Sequence, residues 1–200
     1  MASASSDTDM NKHPTSEKIG PGSLVLIVGP SGAGKDALLQ GVAEQLAGNP
    51  NIHFAKRTIN RPSHEAERND VLALDDPAAV AQSGAYSLSW QAHGLIYAIS
   101  AGIDDHIRAG GCVVFNASRT VVAAARRRYA TVKVVYINAS RKVRARRLAR
   151  RGRETAEEIE ARLAREVDSF PASAAHHLIN NEQTLEAGVD ELRTILNSFE

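Results

Sequence analysis

A glycine-rich segment at residues 29–36 limits what this chain can fold into more than any other part of the sequence. In order, its residues are Gly29, Pro30, Ser31, Gly32, Ala33, Gly34, Lys35 and Asp36. The residues before it, 24–28, are all aliphatic, which is typical of a strand buried on both faces of a parallel sheet. After it, apolar residues recur with helical spacing from Leu38 to Leu46, and a Gly-Asn-Pro sequence at 48–50 ends the helix. A glycine-rich turn between a strand and a helix predicts a loop that binds phosphate through backbone N–H groups and the helix N-terminus.

The spacing within this segment is that of the Walker A motif, in which a glycine is followed after four residues by Gly-Lys. Here Gly29 is followed by Gly34 and Lys35. The glycines allow the backbone to close around phosphate oxygens, and Lys35 supplies a compact positive charge between the β- and γ-phosphates. We therefore predict that residues 29–36 bind the phosphates of ATP and that Lys35 is catalytic.

Position 36 departs from the motif, because it holds Asp36 where a Ser or Thr hydroxyl usually meets magnesium. One interpretation makes Asp36 an oxygen ligand of Mg²⁺, directly or through water. The other makes it an acid of the first helical turn, favoured by the helix dipole. We favour the metal-linked interpretation, since a carboxylate and a triphosphate repel each other unless a cation lies between them. The apolar strand 113–115 ends in Asn116 where the Walker B aspartate is usual, so we predict that the acid gained at 36 compensates for the acid lost at 116.

The rest of the chain alternates short apolar segments with segments of helical spacing. Strands are predicted at 52–59, 85–90, 95–100, 112–115, 132–137 and 177–179. Predicted helix N-caps are Asp76, Ser118 and Ser140, and a capping box is predicted at Thr155 and Glu158. This alternation predicts an α/β protein with the three-layer P-loop NTPase fold and a mainly parallel sheet. We expect one domain at 21–200, preceded by a disordered polar tail at 1–20.

Residues 126–153 carry twelve of the 24 Lys and Arg residues and no Asp or Glu. This segment is a solvated helix face, a nucleic-acid patch, or a mobile lid that closes arginines over the transferring phosphoryl group. Nucleic acid is disfavoured because the segment lacks the interleaved aromatic pattern of single-strand binding. We favour an Arg-rich helical lid at about 140–158, broken at Gly152. Arg147 and Arg151 are its predicted catalytic arginines, because a guanidinium can hold two phosphate oxygens at once.

Composition limits the kinds of molecule that this protein is expected to bind. The formal net charge of +1 is not that of a general nucleic-acid binder, and no apolar run approaches the ~20 residues of a membrane helix. The first residues lack the apolar core of a signal peptide. The only cysteine, Cys112, lies in an apolar strand, which excludes an internal disulfide and predicts a buried thiol. We expect a cytoplasmic enzyme with a small-molecule substrate and no nucleic-acid or membrane partner, and a homodimer is compatible with this sequence.

From about Leu24 to Phe199 the chain resembles the guanylate kinase-like group of nucleoside monophosphate kinases. The matching segments are 29–35, 58–62, 147–153 and 158–163. Within that group it is more similar to the ribose 1,5-bisphosphate phosphokinase family. The residues that carry this similarity are Gly34-Lys35-Asp36, the run Ser89-Trp-Gln-Ala-His-Gly-Leu95 followed by Tyr97, and Val114-Phe-Asn-Ala-Ser-Arg119.

This resemblance implies an ATP- and Mg²⁺-dependent kinase that converts ribose 1,5-bisphosphate to 5-phosphoribosyl 1-diphosphate and releases ADP, in phosphonate breakdown. It also implies a small acceptor-binding subdomain at about 56–100. The residues expected on the acceptor side are Arg57, Arg61, Gln91, His93, Tyr97, Asn116, Ser118 and Arg119. Arginines and neutral hydrogen-bonding side chains suit a sugar that carries two phosphates and no base. Transfer to an ionised phosphate needs no general base, so catalysis is expected to rest on positioning and charge neutralisation.

Two other functions stay open. Glu65 is a potential reader of a guanine base, which keeps GMP or another small molecule as an alternative acceptor. A non-catalytic guanylate kinase-like interaction module is disfavoured, because the loop glycines, Lys35 and the arginine cluster are all present.

Overall fold

The computed structural model describes residues 17–60, 69–72, 76–92, 94–152, 154–164 and 171–199. Its strands are β1 (Ile19–Val28), β2 (Ile52–Phe54), β3 (Arg57–Ile59), β4 (Asn69–Val71), β5 (Tyr86–Ala92), β6 (Leu95–Ser100), β7 (Cys112–Asn116), β8 (Tyr129–Asn138) and β9 (His177–Asn180). Its helices are α1 (Lys35–Gln45), α2 (Pro77–Gln82), α3 (Ile103–Arg108), α4 (Val122–Arg128), α5 (Arg141–Ala149), α6 (Ala156–Ala164) and α7 (Leu185–Asn197). Short 3₁₀ turns lie at Arg119–Val121 and Ala172–Ala174.

A parallel sheet in the order β2-β7-β1-β8-β9 forms the centre of the fold. The aliphatic residues 24–28 of β1 are fully buried between two layers of helices. On one face, Val25 and Ile27 pack with α1 and α7, and on the other, Leu24 and Leu26 pack with α3 and α4. Each such side chain contributes about 1.5–3 kcal/mol when removed from water. The predicted three-layer α/β fold is therefore confirmed, and Cys112 is buried as predicted.

A second, smaller sheet is built from residues 57–100. Its order is β4-β3-β6-β5; β6 pairs antiparallel with both β3 and β5, and β3 pairs in parallel with β4. One face packs against Val80 of α2, while Trp90 and Ile99 on the other face join the core of the main sheet. The segment predicted to bind the acceptor thus has a sheet of its own, although its role stays a prediction.

The predicted strand at 52–59 is wrong in one respect, because it is two strands in two sheets. Residues of β2 pair in parallel with β7, whereas residues of β3 pair with β6 in the small sheet. No Gly or Pro stands between residues 52 and 59, so the sequence does not reveal the change of partner. Strand β1 begins at Ile19, two residues before the predicted domain start at residue 21. The remainder of the predicted tail, 1–16, lies outside the described residues.

The helix caps agree with the sequence at three of four places. Asp76 accepts a hydrogen bond from Ala78 N at 2.9 Å, and Thr155 and Glu158 form the reciprocal capping box. Ser118 caps a 3₁₀ turn. Ser140 precedes α5, but its hydroxyl makes no capping hydrogen bond, and the prediction of a side-chain cap there is wrong. Its backbone N–H instead donates to Glu182 Oε1 at 2.6 Å.

Helices α5 and α6 form the helical pair that the sequence predicts at 140–158. Leu148 packs against Ile159 and Leu163, and Gly152 between the helices has a φ of +61°. The pair is present, and its movement as a lid stays a prediction. Among the described residues, no helix is both long and apolar enough to cross a membrane.

One buried carboxylate ties four elements together. Asp104 of α3 is 4% exposed and accepts hydrogen bonds from Ser87 Oγ (2.7 Å), Tyr129 Oη (2.7 Å) and Arg128 Nη2 (2.6 Å). Burial alone would raise the pKa of Asp104, but the hydrogen bonds from Tyr129, Ser87 and Arg128 outweigh it and lower this pKa below its usual value. Burial and the hydrogen bond to Asp104 raise the pKa of Tyr129 to about 12.

We expect Asp104→Asn to lower the free energy of unfolding by about 2–3 kcal/mol, because it removes the charged acceptor of three hydrogen bonds. Since the folded pKa is lowered, this stabilisation is present above the unfolded pKa of about 3.9 and is lost as the pH falls through the folded pKa. Urea unfolding at pH 7 and at lower pH measures both effects.

The matched control for this variant is Asp105→Asn. Asp105 is 86% exposed and pairs with Arg108 on the surface, so its loss should change the free energy of unfolding by less than about 0.5 kcal/mol. Equal losses in the two variants would contradict a structural role for Asp104.

Candidate active site

The phosphate loop, residues 29–34, connects β1 to α1 and depends on glycine at fixed places. Gly29, Gly32 and Gly34 have φ values of +144°, +79° and +96°. A Cβ atom at Gly29 would lie 2.0 Å from Ile137 O, and one at Gly34 would lie 2.4 Å from Asn181 Nδ2. Glycine is therefore required both by the backbone conformation and by close neighbours. The loop leads directly into the N-terminus of α1, which favours an anion.

Lys35 is the first residue of α1, and its side chain folds back over the loop. Nζ donates to Gly29 O at 2.8 Å and to Pro30 O at 3.0 Å. Burial lowers the pKa of Lys35 to about 8, although the charge of Asp36 opposes the shift. Lys35 is therefore still a cation at neutral pH, held where the predicted triphosphate site lies.

Three arginines add positive charge around Lys35. The positive charges of Arg57, Arg119 and Arg151 each lower the pKa of Lys35 further. They come from β3, from the 3₁₀ turn after β7, and from the turn after α5. An ionised phosphate is a suitable ligand for such a concentration of positive charge.

Asp36 lies at the meeting point of the loop and the two sheets. Its Oδ1 accepts a hydrogen bond from Asn116 Nδ2 at 2.5 Å and one from Arg57 Nη2 at 3.3 Å. The acid gained at 36 and the amide at the end of β7 are thus direct partners. Oδ1 accepts both of the hydrogen bonds that Asp36 makes with the described residues, and the Asp36 side chain is 44% exposed. One accessible carboxylate oxygen beside a phosphate loop fits the hard-oxygen preference of Mg²⁺, with water completing the coordination.

The guanidinium of Arg57 rests on an aromatic stack formed by Tyr97, Trp90 and Phe115. It lies 5.7 Å from the centroid of the Tyr97 ring. The Tyr97 and Trp90 rings are 5.4 Å apart and nearly parallel, and Trp90 and Phe115 are 6.4 Å apart. This aromatic stack runs from the core of the main sheet to the site and fixes the position of the arginine.

Arg119 and Ser118 follow β7 and have different roles. Arg119 Nη1 lies 3.3 Å from Tyr136 Oη, and its guanidinium lies 6.0 Å from the centre of that ring. Ser118 Oγ accepts hydrogen bonds from Thr120 N and Thr120 Oγ1. The guanidinium of Arg119 is therefore held against Tyr136, whereas the described contacts of Ser118 are those of a turn cap.

Two arginines of the helical pair contact the phosphate loop directly. Arg147 Nη1 donates to Ala33 O at 3.1 Å. Arg162 Nη2 donates to Ser31 Oγ at 2.6 Å, and its Nη1 donates to Glu154 Oε1 at 2.5 Å. Arg147 is a predicted site residue, but the assignment of residues from sequence missed Arg162. The signal for Arg162 is its place one turn after Glu158 on a predicted helix that follows the arginine cluster.

Asn181 is a second residue that the site assignment missed. It is 5% exposed, and its Nδ2 donates to Ala33 O at 2.8 Å. Asn181 N also donates to Asn138 O at 2.8 Å, at the end of the pairing between β8 and β9. Asn181 and Arg147 therefore fix the same loop carbonyl from different elements, which no local sequence pattern indicates.

Gln91 lies apart from the other predicted acceptor residues. Trp90 is opposite Tyr97 in the β5–β6 pair, whereas Gln91 is opposite Ile96. Because side chains alternate across a sheet, Gln91 is exposed on the face covered by α2 rather than on the face of Tyr97. Arg61, His93 and the alternative reader Glu65 lie outside the described residues.

We expect Gly34→Ala to weaken binding of a non-hydrolysable ATP analogue by about tenfold or more, because the methyl group would press on Asn181 in a strained backbone. Isothermal titration calorimetry measures the dissociation constant. Gly84→Ala is the matched control, since Gly84 has a φ of +68° but nothing within 4 Å of the added methyl group. An unchanged constant for Gly34→Ala would mean that the loop tolerates a side chain there.

Comparison with known proteins shows the family. The family model described as "AAA domain" matches residues 24–172. The chain is 45% identical to ribose 1,5-bisphosphate phosphokinase PhnN of Rhodopseudomonas palustris, over 78% of this chain and 81% of that protein. It is 46% identical to the protein of the same name from Burkholderia pseudomallei, over 82% and 89% of the two chains.

A solved structure supports the fold. Guanylate kinase from Anaplasma phagocytophilum matches with a TM-score of 0.59 and 16% identity, over 88% of this chain and 85% of that chain. At this identity the likeness concerns the fold alone. Taken with the identities to the two PhnN proteins, the strand, loop and helix geometry shows that this chain belongs to the ribose 1,5-bisphosphate phosphokinase family.

Proposed function

We propose that this protein transfers the γ-phosphoryl group of ATP to ribose 1,5-bisphosphate, giving ADP and 5-phosphoribosyl 1-diphosphate. The observation that carries the proposal is the contact of Asp36 with both Asn116 and Arg57. These residues join the phosphate loop to the two segments that the sequence marks as the acceptor side. The names of relatives at 45–46% identity support the same reaction.

On the donor side, the phosphate loop and the N-terminus of α1 would hold the triphosphate. Lys35 Nζ would donate to phosphate oxygens in place of the two loop carbonyls, so that a buried cation gains an anionic partner. Asp36 would hold Mg²⁺, directly or through water. The metal, when bound, supplies charge neutralisation at the β- and γ-phosphate oxygens.

On the acceptor side, the ligand carries two phosphate groups and no base. Arg57 and Arg119 would provide guanidinium groups, and the amide of Asn116, at the end of β7, is a neutral hydrogen-bonding group. Such a set matches a sugar bisphosphate better than a planar purine. Arg61 and His93 stay in the proposal as further acceptor residues.

The chemical step needs no general base from the protein. An ionised oxygen of the acceptor's 1-phosphate attacks the γ-phosphorus, and the bond from that phosphorus to the β,γ-bridging oxygen breaks. The bridging oxygen leaves with ADP, so that atoms and charge balance without proton transfer at the nucleophile. The protein's part is alignment and charge neutralisation by Lys35 and the arginines.

The helical pair, α5 and α6, would complete the site by covering the phosphate loop. Arg147 and Arg162 already reach loop atoms, and Arg151 is close enough to affect the pKa of Lys35. We propose that these guanidinium groups neutralise the transferring phosphoryl group while α5 and α6 exclude water. A cytoplasmic location and a role in phosphonate breakdown belong to the same proposal.

The direct test is an acceptor panel with Mg²⁺ and ATP. We expect ADP release with ribose 1,5-bisphosphate and much less with ribose 5-phosphate, GMP or gluconate, and phosphorus NMR should show a diphosphate on the product. Lys35→Ala should reduce kcat by about 100-fold or more, because a charge that acts on the transferring group is lost. Turnover on GMP alone would identify a guanylate kinase instead, and binding of ATP with no turnover on any acceptor would favour an interaction module.

A second test concerns Arg162. We expect Arg162→Lys to reduce kcat/KM by about 10–100-fold, because lysine keeps the charge but cannot contact Ser31 and Glu154 through a planar fork. Arg141→Lys is the matched control, since Arg141 pairs with Glu160 on the exposed side of the same helical pair. We expect steady-state kinetics to show a larger loss of kcat/KM for Arg162→Lys than for Arg141→Lys. Equal losses would mean that Arg162 only packs the helices.

A further inference from the structure

An ion pair joins the element that would hold the triphosphate to the element that would hold the acceptor. Arg57 Nη2 lies 3.3 Å from Asp36 Oδ1, and the side chains are 17% and 44% exposed. Asp36 belongs to the first turn of α1, and Arg57 is the first residue of β3 in the small sheet. A change in the charge at Asp36 therefore acts directly on the acceptor side.

The two groups that contact Asp36 would respond differently to a bound metal ion. The Asn116 amide is neutral, so a cation bound to the carboxylate would not repel it as it would repel a charged group. The Arg57 guanidinium is positive, so it competes with a cation for the carboxylate and is repelled once the cation is bound. Arg57 is consequently the partner that metal binding would release.

A released Arg57 would keep its position, because the aromatic stack supports the face of its guanidinium. The centre of the Tyr97 ring lies 5.7 Å from the guanidinium carbon, and the ring of Trp90 stacks on the ring of Tyr97. The contact with a ring face leaves the N–H edges of the guanidinium available for an anion. A phosphate of the acceptor is the anion that the proposed reaction brings to this place.

We propose that Arg57 is a shared residue that couples the metal site to the acceptor site. Without Mg²⁺ it pairs with Asp36, and when Mg²⁺ and nucleotide bind it turns to a phosphate of the acceptor. The inference rests on the proposed function for the identity of that acceptor. Because coupling between two ligands is reciprocal, the acceptor should also strengthen binding of the metal–nucleotide complex, within the 5–150-fold range typical of such coupling.

The first experiment uses no acceptor. Calorimetry gives the dissociation constants of a non-hydrolysable ATP analogue in EDTA and in excess Mg²⁺, and their ratio measures how much the metal helps. We expect Arg57→Gln to raise this ratio about tenfold, because the competing charge is gone, and Asp36→Asn to lower it about tenfold. Arg57→Lys, which keeps the charge, should stay near the wild-type ratio.

The matched control is Asp190→Asn, which removes an exposed acid paired with Arg193 on α7 and should leave the ratio unchanged. Thermal unfolding followed through Trp90, the only tryptophan of the chain, shows whether each variant is folded. A ratio for Arg57→Gln equal to or below that of the wild type would overturn the proposal.

The second experiment measures the dissociation constant of ribose 1,5-bisphosphate in the presence of the same analogue. In the wild type, Mg²⁺ should lower it about tenfold, and in Asp36→Asn the effect should fall below about twofold. Tight binding of ribose 1,5-bisphosphate that Mg²⁺ does not alter would overturn the coupling and leave the proposed function intact. The expected ratios in the first experiment, with no binding of this acceptor, would support the competition at Asp36 and reject the acceptor.

Discussion

The hydrogen bond between Asp36 and Asn116 is the contact on which the arrangement of the site depends. A carboxylate next to a loop that binds phosphate is unfavourable unless donors or cations surround it. Asn116 supplies a neutral donor from the end of β7, and Arg57 supplies a charged one from β3. One residue from each sheet therefore donates a hydrogen bond to the same oxygen atom, Asp36 Oδ1. The aromatic stack then connects this oxygen, through Arg57, to the core of the main sheet.

The phosphate loop is held by a similar convergence on one backbone atom. Ala33 O accepts hydrogen bonds from Asn181 after β9 and from Arg147 on α5. The loop's own lysine contacts two further carbonyls, so the backbone N–H groups can face a ligand while the carbonyl groups point to the protein. This arrangement excludes any side chain at Gly29 and Gly34, because a Cβ atom there would lie too close to a neighbouring atom. It also makes the helical pair part of the loop's support.

The sequence predicts the parts of this structure that depend on local chemistry. The buried strand at 24–28, the cap at Asp76 and the capping box at Thr155 follow from periodicity and hydrogen-bonding side chains, and the structure contains all three. It does not predict the split at 52–59, because no Gly or Pro marks the break and only the partner strand differs. The same limit applies to the site. Arg162 and Asn181 reach the loop from more than a hundred residues away, and their contacts exist only after the chain has folded.

Gln91 shows the converse limit, since it lies in the segment that best marks the family and yet shares the face of Ile96 rather than that of Tyr97. Sequence similarity marks a strand as a whole, while the alternation of the strand decides which of its residues can meet a ligand. For positions 36 and 116, the fold gives the predicted exchange of an acid a physical basis. Their side chains lie 2.5 Å apart although the residues are eighty positions apart in the chain. The predicted exchange would keep one negative charge in the site, but would place that charge on α1, next to Arg57, instead of at the end of β7. The proposed metal ligand, Asp36, would therefore also be the partner of the proposed acceptor arginine, Arg57.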